Sequence, residues 1–162
     1  MSLKFRKEIH FPGTVDQVRA LLVDADFRNA VAAEAGSSGA ETTVEETSRG
    51  TLLRTESRAP AEEFPSFARP FLGDELVIRQ EEHWVSENRA ELDVTVPGKP
   101  GGMKGTLTLT PSGDGTVQTT EAEIKVGIPL LGGKVETLLG KVLGNLLKLQ
   151  GRVGNDWLAG RR

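Results

Sequence analysis

The chain has 162 residues, 37% hydrophobic and 27% charged, with a formal net charge of -3, an ordinary globular composition that fits one domain with a real core and excludes fibrous and disordered classes. Acidic and basic residues are interleaved along the chain, so no electrostatic footprint for nucleic acid or for an anionic lipid surface is expected. The absence of cysteine removes disulfides, thiolate metal sites and cysteine nucleophiles together.

Residues 1–10 alternate charged and apolar side chains without a continuous apolar run. Neither a secretory signal nor a membrane span is expected, and a cytoplasmic location is the default. Leu3, Phe5, Ile9 and Phe11 share one parity while Lys4, Arg6, Glu8 and His10 share the other, with Lys7 the exception, which predicts a half-buried strand. Pro12 and Gly13 end it. Thr14 and Gln17 then form a capping box ahead of Val15, Val18, Leu21 and Leu22 at helical spacing. Asp26 is the expected cap of a second short helix through Ala30, Val31 and Ala35, stopped by Gly36, Ser37, Ser38 and Gly39.

From Ala40 to Val126 the chain reads as an antiparallel meander whose sequence neighbours pair in space. The predicted strands are Glu41 to Ser48, Thr51 to Arg58, Glu75 to Val85, Arg89 to Val96, Met103 to Thr110 and Thr116 to Val126. The stretch from Ala59 to Gly73 is too broken by Pro60, Pro65 and Pro70 for a strand, and its Phe64, Phe67 and Phe71 make it a loop with an apolar face. After Pro129 a helix is predicted over about 131–158, longer than the common globular helix. It carries an apolar arc (Val135, Leu138, Leu139, Val142, Leu143, Leu146, Leu149, Val153, Trp157) and a solvated edge of Lys134, Lys141, Lys148 and Arg152. Gly133, Gly140, Gly144 and Gly151 form a third stripe, which costs helix stability and so implies a close approach to the backbone.

The segment Phe11-Pro12-Gly13-Thr14-Val15-Asp16-Gln17-Val18, followed by Leu21-Leu22-Val23-Asp24-Ala25-Asp26-Phe27, resembles the entry from first strand to first helix in the START-like (SRPBCC, Bet v 1-like) superfamily. Gln80-Glu81-Glu82-His83-Trp84 and Ile128-Pro129-Leu130-Leu131-Gly132-Gly133-Lys134-Val135-Glu136 resemble an uncharacterised family within it, best known from actinobacteria. The resemblance covers nearly the whole chain. It implies an α+β helix-grip fold over residues 1–162: a seven-stranded curved antiparallel sheet wrapped around a long C-terminal helix, with two short helices after strand one. Members commonly enclose a hydrophobic cavity between sheet and helix for lipids, polyketides, plant hormones or quinones, and a few branches use it for catalysis. Fold alone does not choose among these.

Strand parity places Leu76, Ile78, Gln80, Glu82 and Trp84 on one face, taken as the concave one with Leu92, Val94, Val96, Leu107, Leu109, Ile124 and Val126. Gln80, Glu82 and Thr120 then become polar points in an apolar lining, as small-molecule sites use to orient a ligand. The candidate ligand-binding set is Phe64, Phe67 and Phe71 from the proline-rich stretch, Ile78, Gln80, Glu82 and Trp84 from the next strand, Leu92, Val94, Met103, Leu107 and Thr120 from the rest of the sheet, and Leu139 and Leu143 from the helix. The phenylalanine stretch reads either as a lid over a cavity or as a plug in a filled core. Glu82 reads as a carboxylate satisfied by a nearby arginine or backbone donors, or, buried alone, as an acid or base.

His83 has the parity opposite to Trp84 and His10 lies on the polar parity, so both are expected in solvent, and neither has metal-ligand spacing or an orienting acid. No serine sits in a Gly-x-Ser-x-Gly elbow and no dinucleotide fingerprint occurs, so no catalytic residue, metal or cofactor is assigned. The chain has no tyrosine and no buried Arg–Glu pair legible from pattern, which favours an apolar ligand with few polar atoms. Three functions stay open: non-enzymatic binding or transport of a hydrophobic small molecule, an interaction module with a filled core, and a cyclase or dehydratase using Glu82. A small-molecule partner is expected, with no nucleic acid and no integral membrane association. A homodimer stays open.

Overall fold

The computed structural model describes residues 2–37 and 39–162. β1 (Leu3–Phe11) is extended as its alternation requires and pairs antiparallel with the last strand, from Leu3↔Ile124 to Phe11↔Thr116. The capping box forms: Thr14 Oγ1 accepts from the Gln17 N–H at 3.2 Å, and the Thr14 N–H donates to Gln17 Oε1 at 2.9 Å, opening α1 (Val15–Leu22). α2 (Ala25–Glu34) is capped by Asp24 rather than Asp26. The Asp24 carboxylate accepts from the N–H groups of Asp26 and Phe27, and Asp26 falls in the first turn, where its charge still favours the helix N-terminus. Gly36, at φ +81°, follows the helix end, and the expected Ser38 of that turn lies outside the described residues.

The meander forms with all its expected strands: β2 (Gly39–Thr47), β3 (Gly50–Pro60), β4 (Glu75–Ser86), β5 (Arg89–Thr95), β6 (Gly102–Ser112) and β7 (Gly115–Lys125). The sheet order is β1-β7-β6-β5-β4-β3-β2, antiparallel throughout, so only β1 reaches its place by a long connection. The stretch expected to be a loop has local structure of its own. Pro60 ends β3, residues 61–63 make a 3₁₀ turn, and α3 (Arg69–Leu72) supplies one helical turn with Pro70 in its first positions, where a missing N–H does no harm. Phe64, Phe67 and Phe71 are half-buried against Ala61, Ala68, Leu72, Leu76 and Leu138.

α4 (Gly132–Leu158) lies across the concave face, giving the expected helix grip. Its C-terminal half closes the main core, in which Phe11, Val18, Leu22, Phe27, Trp84 and Leu109 are buried and the Phe27 and Trp157 rings meet edge to face at 5.5 Å. The helix turns its glycines toward the inward side chains of β1. A Cβ at Gly140 would lie 3.0 Å from Leu3 Cδ2, one at Gly144 3.8 Å from Phe5 Cε2, and one at Gly151 2.7 Å from Ile9 Cγ2. Gly154 extends the predicted stripe, with only 2.5 Å from a Cβ there to Phe11 Cε1. Gly133 has nothing within 4 Å and does not belong to this contact.

That contrast is measurable. Alanine gains about 0.5–1 kcal/mol of helix propensity over glycine, whereas overpacking a filled contact costs about 1–3 kcal/mol. Gly133→Ala should therefore stabilise the protein in urea unfolding, and Gly154→Ala should destabilise it by about 1–2 kcal/mol. Equal shifts of the same sign would refute the close contact.

Candidate ligand site

The middle of α4 stands over a gap rather than over packed side chains. Leu138, Leu139, Val142, Leu143, Leu146 and Leu149 are all only half-buried, although they form the centre of the helix's apolar arc. Two adjoining recesses account for this. The larger, about 340 Å³, runs from buried Arg28, Val31, Leu76 and Gln150 to an exposed rim at Ala35, Arg58, Glu63 and Asn145. The smaller, about 70 Å³, lies toward the N-terminal half of α4 among Phe71, Val94, Val96, Met103, Leu139 and Leu143, and Gln80 is its one polar side chain. Ile78, Gln80, Val142 and Leu146 line both and form the waist between them.

β4 sets the polar chemistry of this wall by its alternation. Gln80 and Glu82 point to the concave face, and α2 brings Arg28 against them from above. Arg28 Nη2 donates to Glu82 Oε1 at 2.6 Å, Gln80 Nε2 donates to Glu82 Oε2 at 2.6 Å, and Arg28 Nε donates to the Leu22 carbonyl at 2.8 Å. Glu82 is 1% exposed and Arg28 8%, so this is a buried ion pair with its lone pairs satisfied, the condition under which such a pair is tolerated. Of the two readings of Glu82, the carboxylate satisfied by a nearby arginine is the one the structure shows, and the pair that was not legible from pattern is Arg28–Glu82. Arg28 escaped notice because Asp24-Ala25-Asp26-Phe27-Arg28-Asn29 is a polar run, yet Arg28 shares a helix face with the buried Val31 and Ala32, a spacing that carries the signal.

A second polar group lies deeper. Gln118, fully buried on β7, donates through Nε2 to Gln150 Oε1 of α4 at 3.2 Å and, at 3.5 Å, to Thr120 Oγ1. Gln118 Oε1 has no partner among the described residues. Sequence reading found Thr120 but missed Gln118 and Gln150, because glutamine on the apolar side of a helix or strand reads as an interruption.

Of the candidate residues, Phe64, Ile78, Gln80, Phe71, Val94, Met103, Leu139 and Leu143 line one or both recesses. Phe67 lines a separate surface recess beside Lys134 and Lys141. Glu82, Trp84, Leu92, Leu107 and Thr120 line none of the three and sit buried behind the wall, Trp84, Leu92 and Leu107 within the main core. Trp84 carries the Arg19 guanidinium 5.5 Å from its ring centroid. The phenylalanine stretch thus both packs a small core of its own and contributes to the recess walls. His10 is exposed as expected, but His83 is half-buried on the convex face with Nε2 enclosed and unpartnered among the described residues, which corrects its assignment to solvent.

Removing one member of a buried ion pair leaves the other charge stranded, at a cost of about 3–5 kcal/mol, whereas replacing both with apolar groups is often neutral. Arg28→Met should therefore lower unfolding free energy by about 3–5 kcal/mol, and the double change Arg28→Met with Glu82→Leu should recover most of it. A single change as mild as the double one would show that water reaches the pair.

Similarity to known proteins agrees with this architecture. Uncharacterized protein Rv0481c of Mycobacterium tuberculosis (strain ATCC 25618 / H37Rv) is 26% identical over 177 residues, covering 98% of each chain. Among solved structures, TTHA0849 from Thermus thermophilus superposes with a TM-score of 0.67 at 22% identity over 99% of this chain and 100% of that one. The di-domain ARO/CYC StfQ from the steffimycin biosynthetic pathway gives 0.68 at 16% identity, over 99% of this chain and 52% of that one. A START superfamily protein from Mycobacterium smegmatis gives 0.63 at 18%, over 93% and 96%. These likenesses establish the START-like helix-grip fold. With residues 7–158 matching its pattern, the chain belongs to the family described as Protein of unknown function (DUF2505).

Proposed function

We propose that the chain acts as one START-like domain over residues 1–162 that binds, and does not transform, a hydrophobic small molecule in the two-lobed space between sheet and α4. The observation that carries this reading is the waist. Ile78, Gln80, Val142 and Leu146 join a lobe with polar groups to a lobe that is otherwise apolar, the division that orients an amphipathic ligand. A filled core would leave no such space, which favours a binder over an interaction module.

The polar lobe also sets the ligand's chemistry. Glu82 neutralises Arg28, so the wall offers hydrogen bonds without net charge. The Gln80 amide gives its N–H to Glu82, and its carbonyl oxygen has no partner among the described residues. Gln150 and Arg28 line the same lobe. A free fatty acid would bring an uncompensated carboxylate to a neutral wall, whereas a ketone, quinone or phenolic oxygen matches neutral donors and acceptors. The ligand class is therefore a quinone or polyketide-like molecule with few oxygens and an apolar remainder.

Catalysis through Glu82 is the weaker reading, although StfQ and related neighbours are aromatase/cyclases. Both oxygens of Glu82 are held, by Arg28 and Gln80, and the residue lines neither lobe.

Native mass spectrometry of the purified chain, with organic extraction of whatever co-purifies, tests the proposal. A stoichiometric neutral quinone or aromatic polyketide is expected. In titrations with a naphthoquinone bearing an apolar tail, Val142→Trp, which fills the waist, should weaken binding by about tenfold or more. A ligand-free mass with no thermal shift across quinone, lipid and polyketide panels would sink the binder reading.

A further inference from the structure

We propose that the end of the molecule carrying the β7–α4 linker is a docking surface for anionic lipid bilayers; this rests on the binding reading for its purpose, as a place where an apolar ligand enters from a membrane. The linker, residues 126–131, reads Val-Gly-Ile-Pro-Leu-Leu. Its base is fixed: the Val126 N–H donates to Glu136 Oε2 at 2.9 Å, and the Gly132 N–H to the Ile128 carbonyl at 2.9 Å. Between these anchors Leu130 adopts φ +68°, the one non-glycine residue with positive φ among the described residues, and it is 101% exposed. Leu131 beside it is 37% exposed. A leucine held in a strained backbone conformation with its whole side chain in water gains nothing from the rest of this chain, and such strain is retained where a binding event uses it.

A second feature lies on the first turns of the helix that the linker opens. A shallow surface recess of about 460 Å³ has Pro65, Phe67 and Leu138 as apolar lining, with Lys134 and Lys141 also contributing. Lys134 Nζ lies 5.7 Å from the Phe67 ring centroid.

Charge identifies the occupant. Two of the three loops at this end, residues 94–104 and 125–135, contain Lys99, Lys104, Lys125 and Lys134 and no aspartate or glutamate, while the third, residues 61–74, carries Glu62, Glu63 and Asp74 beside Arg69. Lys104 faces Glu123 across the sheet, Lys134 and Lys141 line the recess together, and Lys99 and Lys125 belong to the two lysine-bearing loops. None of these lysines is ion-paired among the described residues, where every pair uses an arginine. Apolar side chains that reach the acyl boundary, ringed by unpaired lysines at phosphate level, are the composition of a peripheral membrane contact. The net charge of -3 conceals the excess on these two loops, and the proposal departs there from the expectation of no footprint for anionic lipid. No helix among the described residues is long and apolar enough to cross a membrane, so the contact is superficial. Gly101 and Val126 of the same loops border the apolar lobe, which places the contact beside the inner space.

Co-sedimentation of the full chain with vesicles of phosphatidylcholine alone, and of phosphatidylcholine mixed with phosphatidylglycerol, tests the surface. Binding to the mixed vesicles only, weakening as salt rises, is expected. Leu130→Ser with Leu131→Ser should weaken it by about tenfold or more, and Lys134→Gln with Lys141→Gln should reduce both affinity and salt dependence, with melting temperature and quinone binding in vesicle-free solution unchanged for both variants. No preference for anionic vesicles, or a leucine variant that sediments like the unaltered chain, overturns the docking surface. Failure of the unaltered chain to bind quinone in vesicle-free solution overturns the pocket instead, so the two readings fail separately.

Discussion

The structure depends on one close contact, between the glycine ridge of α4 and the inward side chains of β1. Helices that pack through leucines stand about 8–10 Å from their neighbours, and a bare backbone comes nearer. Gly151 and Gly154 meet Ile9 and Phe11 at distances that leave no room for a methyl group, and Gly140 meets Leu3 in a contact only slightly less tight. The helix is thus held hard against one edge of a seven-stranded curved sheet. Its apolar arc cannot reach the strands toward the other edge to the same depth, so a gap opens over β4, β5 and β6, where the half-buried leucines of α4 stand. The space follows from where the small residues lie, and no residue inside it needs to be unusual.

The packing of α4 also differs along its length. Toward its C-terminus α4 shares a dense core with α1, α2 and β1, containing Phe11, Phe27 and Leu22. Toward its N-terminus it meets Leu3, Val126 and the small cluster of the phenylalanine stretch. Each large apolar side chain fully buried contributes about 1.5–3 kcal/mol; the larger lobe borders the main core at Val31, Leu146 and Leu149, and the smaller lies toward the N-terminal end of the helix.

The fold was largely legible in the sequence because alternation and helical spacing are read directly by burial. Leu76, Ile78, Gln80, Glu82 and Trp84 face inward as parity required, and the predicted strands and terminal helix formed with modest changes at their ends. The glycine stripe was legible as a cost without a visible return, and β1 supplies the return. The site was legible only in part. Periodicity states which side of an element faces inward but not whether the space there is filled, so Leu92 and Leu107 in the packed core and Val94 and Met103 on a recess wall look alike in sequence. Arg28 was hidden for a different reason: its partner Glu82 lies 54 residues away, and pairing over that distance has no local pattern.

That pair explains why the inner wall can be polar without being reactive. A lone carboxylate at the depth of Glu82 would have to shed its charge or find a cation. Arg28 supplies the cation, Gln80 holds the second oxygen, and the Leu22 carbonyl fixes the arginine from behind. Desolvating two charges is costly, and an apolar pair of similar volume would often serve stability as well or better. What an apolar pair could not do is hold the Gln80 amide in one orientation at the waist between the lobes. The ion pair turns a flexible glutamine into a fixed neutral group whose carbonyl oxygen, facing apolar space, can accept from a hydroxyl donor.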